Sequence, residues 1–278
     1  MAGKRQTVLS DPQALDAIVA LIEQSLVTGG ERPLVLGLCG AQGSGKSTIA
    51  AAIGQYFCGR GIATAVISLD DLYLTLNERA ALAAQIHPLL RTRGVPGTHD
   101  VALGHAVFKS IDAGTATRLP RFDKAADDRA AADDKDVAPA STRLVIFEGW
   151  CVGARPQPAA ALAAPVNELE RIKDAEGIWR RYVNKALSGS YQALFARIDV
   201  LVLLAAPDFE TVFDWRAQQE QKLRVQTNQG MTGEDFVCFV RHYERITRHI
   251  LTEMPSRAAL VVQLDADRRA LGLVGKSG

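Results

Sequence analysis

The sequence has almost no net charge and no long apolar run, and both absences narrow the classes of protein that it could encode. Its 32 lysines and arginines nearly balance its 31 aspartates and glutamates, which leaves a formal charge of +1. A nucleic-acid partner is not expected, because proteins that bind nucleic acid usually carry a basic excess. No apolar stretch has the length of a membrane span or resembles the core of a signal peptide. We therefore expect a cytoplasmic protein without a membrane partner.

Cysteine is also scarce, and the few cysteines form no recognisable site. They lie far apart, without a C-x-x-C pair or a histidine at the spacing of a metal ligand: Cys39, Cys58, Cys151 and Cys238. A structural zinc site is therefore not expected, and we expect reduced cysteines that pack in the interior. A length of 278 residues with 47% hydrophobic content suits one large domain, so residues 1–278 are predicted to form a single unit.

The most informative stretch is Gly-Ala-Gln-Gly-Ser-Gly-Lys-Ser at residues 40–47, which follows the apolar run of residues 34–39. This order of strand, glycine-rich turn and helix is typical of a P-loop, whose backbone N–H groups surround phosphate oxygens. Lys46 would bring a positive charge to the outer phosphates, and Ser47 would offer a hydroxyl to Mg²⁺. The predicted nucleotide-binding residues are Gly40, Ala41, Gln42, Gly43, Ser44, Gly45, Lys46, Ser47 and Thr48.

Apolar periodicity predicts the rest of the fold. Residues 11–28 have the spacing of a leading amphipathic helix, and four further apolar runs are predicted strands: 62–68, 144–147, 200–204 and 259–264. With the strand before the P-loop, five buried strands that alternate with helices predict an α/β fold of the P-loop NTPase type, a parallel, doubly wound sheet with helices on both faces. The aromatic residues between 179 and 195 are expected to pack, and the residues after the fifth strand are expected to fray.

Two segments are predicted to have functions outside the sheet and its covering helices. Residues 113–142, called the insertion below, are rich in Ala, Asp and Pro with little apolar periodicity, and they are predicted to be mobile. Residues 209–232 are predicted to form a helical lid, in which Arg216 could close over the phosphates and neutralise developing charge. The alternative is an ordinary exposed helix in which Glu220 pairs with Arg224.

Acidic residues stand at the ends of two predicted strands. Asp70 and Asp71 follow the strand of residues 62–68, at the edge where open α/β folds place their chemistry. Asp70 could take a proton from a substrate hydroxyl or hold the water shell of a metal, although either aspartate could instead cap the next helix. Glu148 ends the strand of residues 144–147, where a carboxylate beside a P-loop orients the hydrated Mg²⁺.

A loop with fixed positive charges lies between the two acidic sites. Residues 91–100 contain Arg91, Arg93 and several turn-forming residues, which would suit a small anionic substrate such as a carboxylate. The alternative is a plain surface turn with solvated arginines. His99 in this loop could contact the substrate. Residues 119–124, which carry both charge signs, lie inside the insertion and could form part of a functional flap.

Five motifs together resemble the D-glycerate 3-kinases of plant and fungal type, in the branch of P-loop kinases that contains phosphoribulokinase, uridine kinase and pantothenate kinase. They lie at residues 68–73, 91–100, 119–124, 148–150 and 215–220. The Arg-Gly-x-Pro-Gly-Thr-His-Asp string within the second motif is far more specific than the P-loop. The resemblance implies an enzyme that uses ATP and Mg²⁺ to phosphorylate the 3-hydroxyl of D-glycerate, giving 3-phosphoglycerate.

The resemblance also implies roles for single residues. Asp70 aligns with the catalytic base of the Asp-Ser-Phe-Tyr motif of uridine kinases, although this chain has Asp71 and Leu72 where that branch has Ser and Phe. A carboxylate of the substrate would be held by Arg91, Arg93 or Arg121. The predicted catalytic residues are Asp70, Lys46, Glu148 and Arg216, the metal-binding residues are Ser47 and, through water, Glu148, and the substrate-binding residues are Asp71, Tyr73, Arg91, Arg93, His99, Arg121 and Lys124.

Two alternatives to this function remain open. The first is a kinase of the same fold for another small hydroxyl compound, such as a nucleoside, pantothenate or a sugar phosphate. The second is an accessory ATPase that phosphorylates nothing, against which the paired aspartates and the cationic loop both weigh. In either case a monomer or homodimer is expected.

Overall fold

The computed structural model describes residues 12–275 apart from residues 132–135, 228–229 and 232. Within that range the strands are β1 (Leu34–Gly40), β2 (Thr64–Ser68), β3 (Thr117–Arg118), β4 (Phe122–Asp123), β5 (Asp128–Arg129), β6 (Val137–Ala138), β7 (Leu144–Gly149), β8 (Val200–Ala205), β9 (Leu260–Leu264) and β10 (Ala270–Gly275). The helices are α1 (Pro12–Thr28), α2 (Lys46–Gly59), α3 (Leu76–Gln85), α4 (Val101–Asp112), α5 (Glu168–Lys173), α6 (Ile178–Ala186), α7 (Gln192–Phe195), α8 (Phe209–Thr227) and α9 (Gly233–Glu253). None of the described helices combines the length and the hydropathy needed to cross a bilayer.

Strand β1 lies at the centre of the main sheet, whose order is β10-β9-β8-β1-β7-β2. It runs parallel to both neighbours, β7 and β8, and the outer strands β2 and β9 keep the same direction. All seven residues of β1 are buried, as expected of a strand that is covered on both faces. Because parallel strands end at one edge, the residues that follow β1, β2 and β7 are brought together there.

The register of the strands determines how these ends are placed. Leu38 of β1 and Ser68 of β2 both lie opposite Glu148 of β7. Asp70 comes two residues after Ser68, in the 3₁₀ turn Leu69–Leu72. Strand pairing alone therefore puts the acidic turn, the end of β7 and the phosphate loop at a single edge.

Two apolar layers cover the faces of the sheet. One packs α1, α2 and α8 against it through residues such as Ile18, Phe57 and Trp215. The other packs α4 and α6 against the opposite face through residues such as Phe108 and Trp179. The predicted α/β fold with helices on both faces is thereby confirmed.

The main sheet has six strands, so the prediction of five is wrong by one. Strand β10, in the segment expected to fray, pairs antiparallel with β9, with a register shift between Ala270 and Gly272. Its sequence contains the apolar residues Leu271, Leu273 and Val274, but the run is short and interrupted by Gly272, which weakens the signal of a strand, and most of its residues are exposed. The leading helix is confirmed over α1, whereas its predicted first residue, 11, and the predicted last residue of the lid, 232, lie outside the described residues.

The insertion contains more regular structure than predicted. Strand β3 pairs with β6, and β4 pairs with β5. Both pairs are antiparallel, and each strand contains two residues. The buried side chain of Arg79 on α3 reaches this segment and donates a hydrogen bond of 2.8 Å to the carbonyl of Asp127. The insertion is therefore fastened to the rest of the fold, and its mobility stays a prediction.

The four cysteines are unpaired, and their burial differs. Cys39 and Cys151 are buried, as predicted, and Cys238 is partly buried. Cys58 on α2 is exposed, so the expectation that it packs in the interior is wrong. It lies in the last turn of the helix.

Candidate active site

The phosphate loop, residues 40–47, joins the end of β1 to the start of α2. Gly43 and Gly45 have φ angles of 83° and 89°, in the left-handed region that favours glycine. A Cβ added at Gly43 would also lie 2.7 Å from the Cβ atom of Trp215. The loop thus forms a backbone cradle at the positive end of α2, and only glycine leaves it this shape, which fits phosphate oxygens.

Ser47 and Glu148 form the candidate metal site. The Oγ atom of Ser47 donates a hydrogen bond of 3.0 Å to Oε1 of Glu148. Glu148 is only 4% exposed, and its Oε2 atom has no hydrogen-bond partner among the described residues. A buried carboxylate oxygen without a partner is costly unless a ligand completes it. Because hydroxyl and carboxylate oxygens are ligands that Mg²⁺ prefers, these two residues fit a hydrated magnesium ion.

Asp70 lies in the turn Leu69–Leu72 and is held from two sides. It accepts a hydrogen bond of 2.8 Å from the hydroxyl of Tyr73 and one of 2.7 Å from Nζ of Lys124. Burial would raise the pKa of Asp70, but the charges of Lys124 and Lys46, together with these hydrogen bonds, bring the pKa below its usual value. The carboxylate is therefore ionised at neutral pH and can accept a hydrogen bond from a substrate hydroxyl.

Asp71 faces the insertion. Its two oxygens accept hydrogen bonds of 3.1 Å from the backbone N–H of Phe122 and from Nη1 of Arg121. The Nε atom of Arg121 donates to Asp136. Burial raises the pKa of Asp71, although both of its donors act in the opposite direction. Thr75 caps α3, so neither aspartate takes the capping role that the sequence left open. A substrate contact of Asp71 stays a prediction.

Tyr73 and His99 form a stacked pair next to Asp70. Their ring centroids are 4.6 Å apart, and their backbones pair as a single β-bridge. The Nδ1 atom of His99 lies 2.6 Å from the hydroxyl of Tyr191, whereas its Nε2 atom has no partner in the described part of the chain. Burial lowers the pKa of His99 to about 4, even though the charge of Asp70 raises it. The ring is therefore neutral at pH 7.

The loop of residues 91–100 is largely buried and braced by aromatic side chains. Trp150 donates a hydrogen bond of 2.9 Å from Nε1 to the carbonyl of Gly94. Gly94 and Gly97 have φ angles of 135° and 99°, and a Cβ at Gly94 would collide with the ring of Tyr243. These close approaches explain both glycines of the Arg-Gly-x-Pro-Gly-Thr-His-Asp string. A plain surface turn, the alternative left open by the sequence, does not fit this packing.

The predicted substrate-binding cations are mostly paired with acidic residues of the chain. Arg93 forms an ion pair with Asp127 of the insertion. Arg121 and Lys124 bind the two aspartates of the turn after β2. Arg91 is exposed, and its side chain forms no ion pair within the described residues. The structure thus brings Arg121 and Lys124 to the acidic turn and Arg93 to the insertion, and the binding of a substrate by any of the four cations stays a prediction.

The predicted lid is helix α8, where Glu220 holds Arg216. The Nη2 atom of Arg216 donates a hydrogen bond of 2.9 Å to Oε2 of Glu220, which is buried. In the described part of the chain, Glu220 pairs with Arg216 and not with Arg224, the partner that the exposed-helix alternative assumed. Trp215, the residue before Arg216, packs on Gly43, so α8 passes beside the phosphate loop at this point, and the closure of Arg216 over the phosphates stays a prediction.

Arg268 contacts the phosphate loop and was missed by reasoning from the sequence. It lies in the turn between β9 and β10 with a φ angle of 66°. Its Nε atom donates a hydrogen bond of 2.5 Å to the carbonyl of Gly43, and its Nη atoms donate to Gln218 at 3.1 Å. Its guanidinium also lies 5.1 Å from the ring centroid of Trp215. No motif marks this residue, because its partner in the phosphate loop is 225 positions away in the chain.

Comparison with known proteins gives matches along most of the chain. A family model described as phosphoribulokinase / uridine kinase family matches residues 35–154. The uncharacterized kinase mug58 of Schizosaccharomyces pombe is 36% identical over 240 residues, which cover 82% of this chain and 84% of that protein. The chloroplastic D-glycerate 3-kinase of Arabidopsis thaliana is 33% identical over 221 residues, which cover 76% of this chain and 46% of that longer protein.

Solved structures share the fold over nearly its whole length. The structure of the YGR205w protein has a TM-score of 0.79 at 26% identity, with 97% of this chain and 98% of that chain covered. The D-glycerate 3-kinase from Cryptococcus neoformans var. grubii has a TM-score of 0.78 at 27% identity, with 94% and 98% covered. The similarity therefore includes the sheet edge at which the phosphate loop, Asp70 and Glu148 meet.

Proposed function

The chain belongs to the phosphoribulokinase / uridine kinase family of P-loop kinases, and we propose that it transfers the γ-phosphoryl group of ATP to the 3-hydroxyl of D-glycerate. The observation that carries this proposal is the position of Asp70, an ionised carboxylate at the sheet edge shared by the phosphate loop and Glu148. D-Glycerate as the acceptor is supported by the similarity to two proteins that are named D-glycerate 3-kinase. The product would be 3-phosphoglycerate.

The nucleotide would be held by residues 40–48. The backbone N–H groups of the phosphate loop would face the phosphate oxygens, and Lys46 would contact the outer phosphates. Ser47 and, through water, Glu148 would hold Mg²⁺, which when bound neutralises negative charge on those phosphates. Arg216, which follows Trp215 on α8, would add a positive charge where negative charge develops during transfer.

Asp70 would bind the acceptor hydroxyl and remove its proton. The hydroxyl oxygen forms a bond to the γ-phosphorus, the bond from that phosphorus to the bridging oxygen of ADP breaks, and the proton passes to the carboxylate. Because the pKa of Asp70 is low, we expect the proton to move late, when the oxygen is largely bonded to phosphorus and has become acidic. Tyr73 and Lys124 fix the orientation of the carboxylate.

The carboxylate of the acceptor needs a cation, and the sequence predicts four candidates, of which Arg121 and Lys124 contact the turn after β2. Arg93, Arg121 and Lys124 are each paired with an aspartate, and Arg91 is exposed. We propose that the substrate carboxylate takes the place of Asp127 at Arg93 or of Asp71 at Arg121, because Lys124 holds Asp70. Such an exchange leaves the cation paired throughout and so avoids the cost of an unpaired, partly buried charge.

A steady-state assay of ADP release with D-glycerate, L-glycerate, uridine and pantothenate tests the proposal. We expect release to depend on D-glycerate, and phosphorus NMR of the product to show the new phosphate on carbon 3. Turnover of uridine or pantothenate without turnover of D-glycerate would overturn the proposal in favour of another acceptor. ADP release that is independent of every acceptor would overturn it in favour of an accessory ATPase.

A further inference from the structure

Tyr191 connects two segments of the acceptor side of the site. It ends the irregular helical stretch Leu187–Tyr191 and is 1% exposed, and from its sequence it was expected only to pack. Its hydroxyl lies 2.9 Å from the backbone nitrogen of Gly97 and 2.6 Å from Nδ1 of His99. Both of these residues belong to the Arg-Gly-x-Pro-Gly-Thr-His-Asp string, so the hydroxyl connects Tyr191 to two residues of this string.

The hydrogen bonds around this hydroxyl determine which nitrogen of His99 carries the proton. The N–H of Gly97 can only donate, so the Tyr191 oxygen accepts that bond. The hydroxyl then has one proton to donate, and within the described residues Nδ1 of His99 is the acceptor at hydrogen-bond distance. Because Nδ1 accepts, the neutral ring carries its proton on Nε2. Burial keeps the ring neutral, since it lowers the pKa of His99 to about 4.

The Nε2–H group of His99 is a buried donor that is left without a partner. His99 is 5% exposed, and no described atom accepts from Nε2. Buried donors are almost always paired, so an unpaired donor beside the proposed base is a candidate contact for a ligand. The ring is stacked on Tyr73, whose hydroxyl donates to Asp70, so the donor lies in the same cluster as the proposed base.

We propose that Tyr191 is a positioning residue of the acceptor site: it fixes His99 in the Nε2–H form so that His99 donates a hydrogen bond to a hydroxyl or carboxylate oxygen of the acceptor. This inference rests on the proposed kinase function for the identity of the acceptor. The tautomer of His99 does not depend on the proposed function, because it follows from contacts within the chain. A neutral donor of fixed direction selects acceptors that present an oxygen at that point and disfavours analogues that lack it.

The tautomer can be read directly by nitrogen NMR on protein labelled with ¹⁵N-histidine. The chain has 5 histidines, and the signal of His99 is assigned from its loss in His99→Gln. We expect an unprotonated Nδ1 and a protonated Nε2 in the free protein, and a shift of the Nε2 signal when D-glycerate and ADP are added. In Tyr191→Phe we expect a mixture of the two tautomers, because the donor to Nδ1 is gone while the ring remains.

Kinetics provide the second readout. Tyr191→Phe should raise the KM for D-glycerate about tenfold, the loss expected for one well-directed hydrogen bond, with the KM for ATP unchanged. The matched control is Tyr56→Phe on α2, where the hydroxyl of the tyrosine donates a hydrogen bond to Glu23. His99→Gln should retain more acceptor affinity than His99→Asn, because the longer side chain places its amide N–H near the position of Nε2.

The outcomes separate the two proposals. A proton on Nδ1 of His99 in the free protein, or a Tyr191→Phe variant with an unchanged tautomer and an unchanged acceptor KM, would overturn the role of Tyr191. A greater retention of affinity by His99→Asn than by His99→Gln would overturn it as well. If the free protein shows the expected tautomer but does not phosphorylate D-glycerate, the donor is supported and the proposed function fails.

Discussion

The Nζ atom of Lys124 lies 2.7 Å from Oδ2 of Asp70, and this ion pair joins the insertion to the acceptor side of the candidate site. The turn Leu69–Leu72, which contains Asp70, binds the insertion a second time through the ion pair of Asp71 with Arg121. Lys124 is largely exposed, whereas Asp70 is mostly buried. The ion pair therefore matters more for the charge of Asp70 than for the charge of Lys124. The charge state of the proposed base is therefore coupled to the position of the insertion.

Replacing Asp70 with asparagine removes the proposed base and keeps the shape of the side chain. We expect Asp70→Asn to lower kcat by about 10²- to 10⁴-fold, the usual contribution of a positioned base, with little change in the KM for ATP. Steady-state kinetics measure both values. Asp16→Asn, at an exposed site on α1, should behave as the unaltered protein. Equal losses of turnover and ATP affinity, or no loss of either, would contradict the assignment.

Removing Lys124 should change the pH dependence of the reaction. Lys124 and Lys46 keep the pKa of Asp70 below its usual value against the effect of burial. In the unaltered protein the contribution of ionised Asp70, to activity and to stability, is present above its unfolded-state pKa and is lost only as the pH falls through the low folded-state value. In Lys124→Met burial is less opposed, so the pKa rises and the acid limb of kcat/KM moves to higher pH.

The measurement for Lys124→Met is the position of this acid limb and not the height of the profile, because Lys124 is also a candidate contact of the substrate. Lys109→Met, at an exposed site on α4, should keep the profile of the unaltered protein. A profile of Lys124→Met with its acid limb in the original place would show that the ion pair does not control the ionisation of Asp70.

Glu148→Gln should weaken the response to magnesium. The glutamine keeps an acceptor for the hydroxyl of Ser47 but removes the negative charge from the oxygen that has no partner. We expect the Mg²⁺ concentration for half-maximal activity to rise by about 10- to 100-fold, as for residues that orient the ligands of a metal. Chelation should abolish the activity of both proteins, and added Mg²⁺ should restore it. Glu176→Gln, at an exposed site before α6, is the control; an unchanged magnesium response of Glu148→Gln would remove Glu148 from the metal site.

The phosphate loop and the acidic strand ends could be predicted because each signal is contiguous in the chain. A buried strand, three glycines at fixed spacing and a following helix require no information about distant residues. Asp70 and Glu148 likewise follow apolar runs directly, and parallel strands end at a common edge. The sequence therefore indicated where the site lies in the fold before any contact was known.

The polar partners of these residues could not be predicted, because they depend on how distant segments approach. Arg93 pairs with Asp127, which lies 34 positions later in the insertion, a segment with no periodic signal. The guanidinium of Arg121 donates hydrogen bonds to both Asp71 and Asp136. Such pairs are set by tertiary packing, and composition alone describes the same residues as solvated charges.

Gly94→Ala should destabilise the protein. The φ angle of Gly94 is 135°, and a methyl group there would collide with Tyr243, whose hydroxyl donates to the carbonyl of Arg93 at 3.1 Å. Backbone strain and overpacking together should lower the free energy of unfolding by about 2–4 kcal/mol. Urea denaturation measures this change. Gly59→Ala, where a Cβ meets no atom within 4 Å, is the matched control, and equal midpoints for the two variants would contradict the role of the close approach.

Arg268→Ala should weaken nucleotide binding without affecting the acceptor. The arginine donates to the carbonyl of Gly43 and packs on Trp215. Its loss therefore removes a hydrogen bond that holds the phosphate loop. We expect the Kd for ADP to rise about tenfold, the value of one charge-assisted hydrogen bond of about 1.4 kcal/mol, with the KM for D-glycerate unchanged. Calorimetric titration compares this variant with Arg269→Ala, whose exposed side chain has, among the described residues, an ion-pair contact only with Asp267 of the same turn, at 4.0 Å. Because both variants remove one positive charge from one turn, a general electrostatic effect would weaken ADP binding equally in both, and only a contact with the loop would separate them.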